Sequence, residues 1–337
     1  MAKAPTVEDV ARAAGVSRQT VSNVLNSPDI VRPATRERVE RAIAELGYRP
    51  HAAARRLRTR RSSTLGIRLD PYSGGVSGVV LDRFVHALTE RASARGLRIL
   101  LYAARTAEEE IDRIRDLLDG GEIDAVVLTG TFRGDPRTAW LAAHAAPFVS
   151  FGRPWDDDAA PSHSWVDVDG AAGTRMATTW ALAHAGPRVA FLGWPAGSDT
   201  GDDRERGWRE AMPEGAPLVR LTAVDGVAPA REAVAETLRA GGDAPDAIVC
   251  ASDTLAIGAH LAAVTAGRPT LPIVGFDNTP AAEAMGLSSI EQRPEDVAAG
   301  TLELLAGAEG AVIDPAERAA HVLVEPRLVV RTEPPRG

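Results

Sequence analysis

Four polar side chains near the start of the chain could hydrogen-bond the edges of nucleic-acid bases. Arg18 and Gln19 are adjacent, and Ser22 and Asn23 follow one helical turn later, so all four lie on one face of a helix. A guanidinium can form a bidentate pair with a guanine edge, and Gln or Asn can do the same with an adenine edge. The spacing predicts a helix face suited to the major groove of duplex DNA.

This face needs a helix with a defined start and a neighbouring element to support it. Thr6 and Asp9 have the spacing of a capping box, which predicts a helix that begins at Val7. Gly15 can adopt the left-handed conformation that ends a helix, and Ser17 is a favourable N-cap for the next one. The sequence therefore predicts a helix, a tight turn and a second helix.

An apolar stripe on the opposite side of the second helix predicts a small core. A third helix over residues 33–46, which ends at Gly47, is expected to pack beneath the first two. The core-facing positions of the second and third helices are Val21, Val24, Leu25, Val39, Ile43 and Leu46. By this pattern alone, a plain three-helix bundle with solvated polar faces explains the segment as well as a DNA-reading unit does.

A short helical segment after Pro50 points to a binding partner. Residues 51–57 offer only one or two helical turns, and five arginines follow one another closely within residues 55–61. Isolated helices shorter than ~12 residues are marginal in water because helix nucleation is costly. This segment is expected to fold only against a partner.

Charge is distributed unevenly along the chain. The 337 residues carry a net charge of −8, but residues 1–63 hold 13 Lys and Arg against 6 Asp and Glu. The remainder holds 25 basic and 40 acidic residues. A basic arm on an acidic body is typical of nucleic-acid-binding proteins.

Length and composition restrict the class of protein. At about 100–200 residues per domain, the length predicts two or three domains. The single cysteine, Cys250, excludes an intrachain disulfide and a thiolate-built zinc site. Residues 1–10 lack an apolar stretch of signal-peptide length, and no run of ~18 apolar residues occurs. We expect a cytoplasmic protein that does not cross a membrane.

Apolar strand-like segments alternate with helical stretches after the basic run, which predicts parallel sheets covered by helices on both faces. The predicted strands cover residues 64–69, 98–102, 125–128, 148–151, 188–193, 247–250, 272–276 and 321–324. Their number predicts two lobes, with a break near residues 156–164. The default ligand site is a cleft at the carboxyl ends of the strands.

The body carries no recognisable catalytic or cofactor motif. GxGxxG, Walker A, GxSxG and HExxH patterns are absent from the sequence, and helical histidines such as His86 and His260 are more often structural than catalytic. Asp167 and Asp169 resemble the start of a calcium loop but lack its later ligands. We expect no enzyme activity, no cofactor and no metal site. Cys250 is expected to be a small buried apolar residue rather than a nucleophile.

The N-terminal segment resembles the LacI/GalR family of bacterial repressors. The motifs that carry the resemblance are TVEDVARAAGVSRQTVSNVLN at 6–26 and TRERVERAIAELGYRPHAAARRL at 35–57. The resemblance implies that the second helix reads the major groove through Arg18, Gln19 and Asn23. It also implies a hinge helix at about 51–58 in the minor groove, where Leu57 wedges between base pairs. The other implied DNA-contacting or capping residues are Thr6, Ser17, Ser22, Asn26, Tyr48 and Ala54.

The body resembles the same family, whose core is similar to periplasmic sugar-binding proteins. The motifs are SDTGDDRERGWREAM at 198–212, IVCASDTLAIGA at 248–259, IVGFDN at 273–278, SSIEQRP at 288–294 and EPRLVVRT at 325–332. The resemblance implies a pocket in which Arg204 and Asp277 bind a small-molecule effector. The full set of implied effector-binding residues is Tyr72, Arg153, Arg204, Asp225, Ser252, Asp253 and Asp277.

The residues themselves leave the nature of this pocket open. An Arg and a carboxylate at strand ends can fix a polyol by paired hydrogen bonds, but a single Arg or Asp is more often part of a salt bridge or a helix cap. Residues 224–226 stand where many family members place a stacking aromatic, and residues 70–76 lack the usual Asn-Pro-Phe-Phe type of loop. Tyr72, Trp155 and Trp194 are the remaining stacking candidates. With 4% aromatic residues, hydrogen bonding to a sugar is favoured over stacking on a purine.

The combined prediction is an N-terminal all-α helix-turn-helix domain and an α/β two-lobed periplasmic-binding-protein-like domain with parallel sheets. The predicted boundaries are 1–60 for the first domain and 61–337 for the second, with one lobe at about 61–160 and 290–322 and the other at about 161–289 and 323–332. Such a protein would be a homodimeric repressor of a roughly palindromic operator, controlled by a sugar-like effector. The alternative is a cytosolic small-molecule-binding protein without operator specificity.

Overall fold

Most of the chain can be described at the level of individual side chains. The computed structural model describes residues 5–26, 28–48, 61–69, 78–155, 163–239, 244–307, 310–312 and 319–331. The chain divides into two units, Met1–Ser62 and Ser63–Gly337. The predicted hinge helix and the predicted site residues Ala54, Leu57 and Tyr72 lie outside the described residues.

Three helices form the first unit, and their ends follow local sequence signals. They are α1 (Val7–Ala14), α2 (Arg18–Asn26) and α3 (Pro33–Leu46), with a 3₁₀ turn at Pro28–Ile30. Both halves of the predicted capping box are present, since the Thr6 and Asp9 side chains each accept a hydrogen bond from the other's backbone amide. Gly15 and Gly47 take φ of 62° and 61° and end α1 and α3. The first three predicted helices are confirmed.

The core of the first unit differs from the prediction at one position. Ser17 caps α2 as predicted, because its Oγ accepts the backbone amide of Thr20 at 3.1 Å. Leu46, predicted to be buried, is 39% exposed. The chain reverses at Gly47, and Tyr48 turns back to pack against the core in its place. The buried residues are Val10, Ala11, Ala14, Val21, Val24, Val39, Ala42 and Tyr48.

Six parallel strands form the first sheet of the second unit. They are β1 (Thr64–Leu69), β2 (Arg98–Ala103), β3 (Ala125–Thr129), β4 (Phe148–Phe151), β5 (Trp165–Val168) and β11 (His321–Val324), in the order β11-β5-β4-β3-β1-β2. The helices packed on it are α4 (Gly78–Ala94), α5 (Ala107–Asp119), α6 (Pro136–Ala143) and α12 (Pro294–Leu305). Successive residues of β3 pack on opposite faces of the sheet. Val127 packs in a cluster with residues of α4 and α12, and Leu128 packs in a cluster with residues of α5 and α6. The predicted coverage of both faces is confirmed.

The second sheet repeats this arrangement with one exception. Its strands are β6 (Val189–Gly193), β7 (Arg220–Thr222), β8 (Ala247–Cys250), β9 (Ile273–Phe276), β10 (Ser288–Glu291) and β12 (Arg327–Val329), in the order β12-β10-β9-β8-β6-β7. The associated helices are α7 (Gly170–His184), α8 (Thr200–Ala211), α9 (Val227–Arg239), α10 (Asp253–Thr265) and α11 (Pro280–Ala284). The edge strand β12 pairs with β10 in the antiparallel sense, whereas the other strand pairs are parallel.

The chain passes between the two sheets after β5, after β10 and after β11. We call the part built on the first sheet the first lobe and the part built on the second sheet the second lobe. β5 pairs with β4 and β11, so the first lobe extends to Val168, beyond the predicted break at about 160. β11 also lies wholly in the first sheet, although its last two residues are predicted in the second lobe. Short apolar strands have the same pattern in either sheet, so the pattern does not choose their partners.

The described ranges contain no helix that is long and apolar enough to cross a lipid bilayer. They also contain no group of three or more His, Cys, Asp and Glu side chains that could hold a metal ion. Cys250 is fully buried, and burial raises the pKa of its thiol, as expected for an apolar core residue.

Candidate functional site

The polar face predicted for α2 is accessible. Arg18 and Gln19 are exposed, and Asn23 is half-buried beside them. Gln19 Nε2 donates to Asn23 Oδ1 at 3.0 Å, and Arg18 Nη1 lies 3.0 Å from Glu8 Oε1. Exposed pairs of this kind contribute little to stability, so these side chains can exchange their present partners for base edges.

The other predicted residues of this unit have mainly structural contacts. Thr6 and Ser17 cap α1 and α2, and Ser22 is half-buried on α2. Tyr48 is 8% exposed, and burial raises the pKa of its phenol, so its ring belongs to the core of the unit. The side chain of Asn26 lies outside the described residues.

A cavity of about 220 Å³ lies between the two lobes. Its first-lobe wall includes Thr129, Phe151 and Val168, which are the last residues of β3, β4 and β5. The remaining lining residues are Val80, Leu81, Gly130, Thr131, Gly152, Trp155 and Asp167 from the first lobe and Gly170, Thr200, Asp203, Arg204 and Gln292 from the second. The cavity therefore lies at the carboxyl ends of parallel strands, where open α/β sheets bind ligands.

Arg204 is held rigidly on the second-lobe side of this cavity. Thr174 Oγ1 on α7 donates to the Arg204 carbonyl oxygen at 2.6 Å. The two helices approach closely because residue 207 is glycine, since a Cβ on Gly207 would lie 2.0 Å from a backbone oxygen of α7. The guanidinium carbon of Arg204 lies 3.7 Å from the centre of the Phe276 ring, and its Nη1 donates to the carbonyl oxygen of Ala251 at 2.5 Å. The side chain is fixed before any ligand arrives.

Asp277 contacts two of the lining residues. Its Oδ1 lies 3.7 Å from Arg204 Nη1 and accepts a hydrogen bond from Gln292 Nε2 at 2.6 Å. Burial raises the pKa of Asp277 to about 7, although the Arg204 charge acts in the opposite direction. Its backbone has a φ of 115°, which is strained for a residue other than glycine, and such strain is concentrated at functional sites.

Arg153 connects the two lobes. It follows β4, and its Nε donates to Asp167 Oδ2 at 2.5 Å while Nη2 donates to the carbonyl oxygen of Val168 at 2.9 Å. On its other side, Nη1 lies 3.7 Å from Asp203 Oδ1 on α8 of the second lobe. Burial raises the pKa of Asp167, against the lowering effect of Arg153. Arg153 also lies over the Trp155 ring, with its guanidinium carbon 5.1 Å from the ring centre.

Three further predicted residues lie in the second lobe. Ser252 Oγ donates to Asp225 Oδ1 at 2.7 Å, and Trp194 Nε1 donates to the same oxygen at 3.1 Å. Asp253 is fully buried, and both of its carboxylate oxygens accept hydrogen bonds, from the backbone and hydroxyl of Thr279 and from the hydroxyl of Ser289. Asp253 therefore connects α10 to strand β10 and to the loop after β9, and it does not line the cavity.

Several residues that line the cavity are not predicted from the sequence. Thr129 and Thr131 belong to one segment that carries no motif, whereas Asp203 and Gln292 lie within motifs of the resemblance but are not among the implied effector-binding residues. Buried side-chain polar atoms without a hydrogen-bond partner occur at several places among the described residues, and three of them, Thr129 Oγ1, Trp155 Nε1 and Arg204 Nε, belong to lining residues of this cavity. Buried polar atoms in proteins are normally paired, so this cavity has a specific capacity for a polar ligand. The only sequence signal for Thr129 is its position at the end of a buried strand.

The two units define a class of protein in which a helix-turn-helix unit is joined to a two-lobed ligand-binding body. The sequence model described as "Bacterial regulatory proteins, lacI family" matches residues 6–51. The model described as "Periplasmic binding proteins and sugar binding domain of LacI family" matches residues 79–304. The chain belongs to the LacI family of bacterial regulatory proteins.

Individual relatives agree with this placement. The chain is 35% identical over 300 residues to the HTH-type transcriptional regulator CelR of Thermobifida fusca, covering 83% of this chain and 84% of CelR. It is 29% identical over 308 residues to the ribose operon repressor of Halalkalibacterium halodurans, covering 89% of each. A solved complex of CelR with cellobiose superposes with a TM-score of 0.67 at 30% identity, covering 98% of this chain and 99% of the other.

The Lac repressor dimer, solved bound to operator and an anti-inducer, has the same fold. It superposes with a TM-score of 0.79 at 24% identity and covers 98% of this chain and 99% of its own.

Proposed function

We propose that this protein is a transcriptional repressor that binds a roughly palindromic operator as a homodimer and is controlled by a sugar-like effector. The observation that carries the proposal is the convergence of three unpartnered polar groups, on Thr129, Trp155 and Arg204, in one cavity between two lobes. A ligand rich in hydroxyl groups supplies both acceptors and donors to these groups. Binding between lobes gives such a ligand control over their relative arrangement.

The DNA-binding part of the proposal rests on α2. Arg18, Gln19 and Asn23 are available for base edges, and the basic N-terminal arm supplies attraction to phosphates. One recognition helix per subunit requires two subunits for a two-fold symmetric site. The resemblance adds a hinge helix with Leu57 as a minor-groove wedge. Such a regulator works in the cytoplasm, where its operator is.

The effector part rests on groups already fixed in the cavity wall. Arg204 and Arg153 are held by protein partners, so they can orient a ligand hydroxyl without losing much side-chain freedom. Asp277 supports this wall from the second lobe through its contact with Arg204, whereas Ser252 and Asp225 bond each other and are not among the lining residues. The solved complex of the relative CelR with cellobiose supports a sugar ligand and makes cellobiose the first probe.

Coupling between the two functions follows from the contacts that cross the cavity. Arg153 of the first lobe faces Asp203 of the second, and the Arg133 amide donates to Asp199 Oδ2 at 2.8 Å. An effector that binds one lobe arrangement more tightly than the other shifts the population of arrangements. Coupling of this kind is typically worth about 1–3 kcal/mol and must be reciprocal between effector and DNA.

We infer that the protein has no catalytic activity. Among the described residues, those that line the cavity include no His, Cys, Lys or Ser, and its Asp and Thr side chains therefore have none of these groups beside them as a partner base or nucleophile. The chemistry that the site offers is therefore hydrogen bonding by fixed polar groups, which suits reversible ligand binding.

The proposal is tested by selecting genomic DNA fragments on the purified chain and measuring fluorescence anisotropy of the enriched duplex. We expect a two-fold symmetric sequence, and a change of operator affinity of about 5- to 150-fold when cellobiose or another active sugar is added. Sugar binding without any preferred duplex would instead support the alternative, a small-molecule-binding protein without operator specificity.

A further inference from the structure

The charges around the cavity are unbalanced in favour of carboxylates. Asp167 and Asp203 line it, and Asp277 lies directly behind Arg204. Within the part of the chain that the structure describes, the guanidinium groups of Arg153 and Arg204 are the cations that face these three carboxylates across the cavity. A third, on Arg206, bonds Asp203 from outside, where the Arg206 side chain is 52% exposed and therefore strongly screened.

Neither of the cavity arginines is free to receive an anion. Arg153 is bonded to Asp167 at 2.5 Å and has Asp203 3.7 Å away on the opposite side. Arg204 has Asp277 at 3.7 Å and donates its Nη1 to a backbone carbonyl. Sites that bind phosphate or carboxylate ligands present unneutralised arginines or several backbone amides. Here each cation already has a carboxylate partner.

The vacant hydrogen-bonding groups suit a neutral ligand. Arg204 Nε and Trp155 Nε1 are N–H donors, and the Thr129 hydroxyl can donate or accept. Sugar hydroxyl and ring oxygens accept from such donors without bringing a net charge. A phosphate group would bring about −1.5 to −2 charges close to Asp167 and Asp203.

From this arrangement we propose that Asp167 and Asp203 are specificity-determining residues that exclude anionic ligands, so that the effector is a neutral or amino sugar and not a sugar phosphate or a uronic acid. The inference rests on the proposed function in taking the cavity as the effector site. Coulomb repulsion at these separations in a partly buried site weakens binding of an anion by roughly tenfold to a hundredfold. Phosphorylation of the effector by a kinase would then end its signal.

Anion exclusion can be measured without knowing the effector, because Trp155 is a fluorophore in the cavity wall. The Trp155 contribution is the difference in quenching between the wild type and Trp155→Phe. Iodide and acrylamide are compared at pH 8 and constant ionic strength, each normalised to N-acetyltryptophanamide. We expect iodide to quench Trp155 about three- to tenfold less effectively than neutral acrylamide.

The carboxylates are then neutralised one at a time and together. Asp203→Asn and the double variant Asp167→Asn/Asp203→Asn remove the negative charge and keep one acceptor oxygen per side chain. They should raise iodide quenching of Trp155 while leaving acrylamide quenching unchanged. Asp112→Asn removes one charge from an exposed position on α5 and serves as the matched control. If the double variant does not fold, iodide quenching of Trp155 in Asp203→Asn alone tests the inference. Equal quenching of the wild type by iodide and acrylamide, or no response to Asp203→Asn, would overturn the inference.

A ligand panel separates this inference from the proposed function. Thermal shifts are recorded with cellobiose, glucose, ribose and glucosamine, and with glucose 6-phosphate, ribose 5-phosphate and glucuronate. Stabilisation by a neutral or amino sugar alone supports both proposals. Stabilisation by a phosphate or uronate at least as great as by its neutral parent overturns the inference and leaves the regulator intact. If no compound binds but iodide is excluded, the inference on the cavity holds and the sugar effector fails.

Discussion

The α2 face and the inter-lobe cavity use the same side-chain type in opposite environments. The side chain of Arg18 is 71% exposed, and its ion pair with Glu8 is open to water, whereas Arg204 is 5% exposed and stacked on Phe276. An exposed arginine exchanges partners at little cost, but a buried one is costly to leave unpaired. The side chains of the α2 face can therefore exchange their present contacts for contacts with DNA. The side chains of the cavity instead keep a fixed geometry for one ligand.

The largest effect is expected from removing the buried cation. Arg204→Met keeps apolar contact with Phe276 but leaves Asp277 without its charge partner and removes the vacant Nε donor. We expect the effector-induced change in operator affinity to disappear and the free energy of unfolding of the body to fall by up to about 3 kcal/mol. Operator anisotropy with and without sugar, and urea unfolding, measure these two quantities.

The matched control for this variant is Arg209→Met on the same helix. Arg209 is exposed and pairs with Glu205, so its replacement should leave the sugar response unchanged. A full sugar response in Arg204→Met would contradict the assignment of this arginine to the effector site. It would also contradict the contrast between Arg204 and Arg18.

The buried carboxylate of the cavity should make stability depend on pH. The pKa of Asp277 is raised to about 7, so between about pH 4 and 7 the folded protein retains a proton that the unfolded chain has lost. Stability is therefore greatest below pH 4 on this account and is lost as pH rises to 7, by at most about 3–4 kcal/mol. Asp167 and Asp253, whose pKa values are also raised by burial, act in the same direction.

Urea unfolding of the wild type and of Asp277→Asn at pH 5 and pH 8 isolates this contribution. The wild type should lose more stability than the variant between the two pH values, because asparagine does not titrate. An equal loss in both proteins would show that Asp277 does not carry the effect.

The exposed arginine should affect DNA and nothing else. Arg18→Ala is expected to cost about 1–3 kcal/mol of operator affinity and to relax the sequence preference at one base pair, because a bidentate contact is lost. Sugar affinity should not change. Arg12→Ala, which removes an exposed charge from α1, is the control and should weaken binding to all sequences about equally while leaving the sequence preference unchanged. An unchanged sequence preference in Arg18→Ala would exclude it from base reading.

The smallest effect concerns the stability of each region separately. Thr6→Ala removes the cap of α1 and should lower the stability of the first unit by about 1 kcal/mol. Thr106→Ala removes the cap of α5 and should affect only the body. Calorimetry of the two variants measures this. A shift of the same transition by both would mean that the two units do not unfold independently.

The same contrast explains how far the sequence predicts the structure. The helices of the first unit follow from local rules, since the capping box of Thr6 and the left-handed Gly15 involve residues three or four positions apart. Of the twelve strands described in the body, eight follow from short apolar runs, whereas β5, β7, β10 and β12 are not among the predicted strand ranges. The pairing of the strands is not predicted either, because β5 and β11 carry no signal that assigns them to the first sheet.

The cavity was harder to predict because it is assembled from distant segments. Thr129 and Gln292 are 163 positions apart in the sequence and belong to different lobes, and only the folded sheets bring them to one cavity. Arg204 and Gln292 meet at Asp277 by tertiary contacts alone. The motif around Asp253 resembles a pocket segment, yet its carboxylate is fully engaged within the second lobe. Residue type at a strand end does not by itself reveal which side chain faces the ligand.

One thermodynamic cycle joins the two regions. Operator affinity is measured with and without a saturating sugar, and sugar affinity is measured with and without a saturating operator duplex, in wild type, Arg18→Ala and Arg204→Met. We predict the same coupling factor from both sides of the cycle in the wild type, a retained factor in Arg18→Ala and none in Arg204→Met. A sugar that binds with identical affinity in the presence and absence of operator would contradict the assignment of the cavity as the control site.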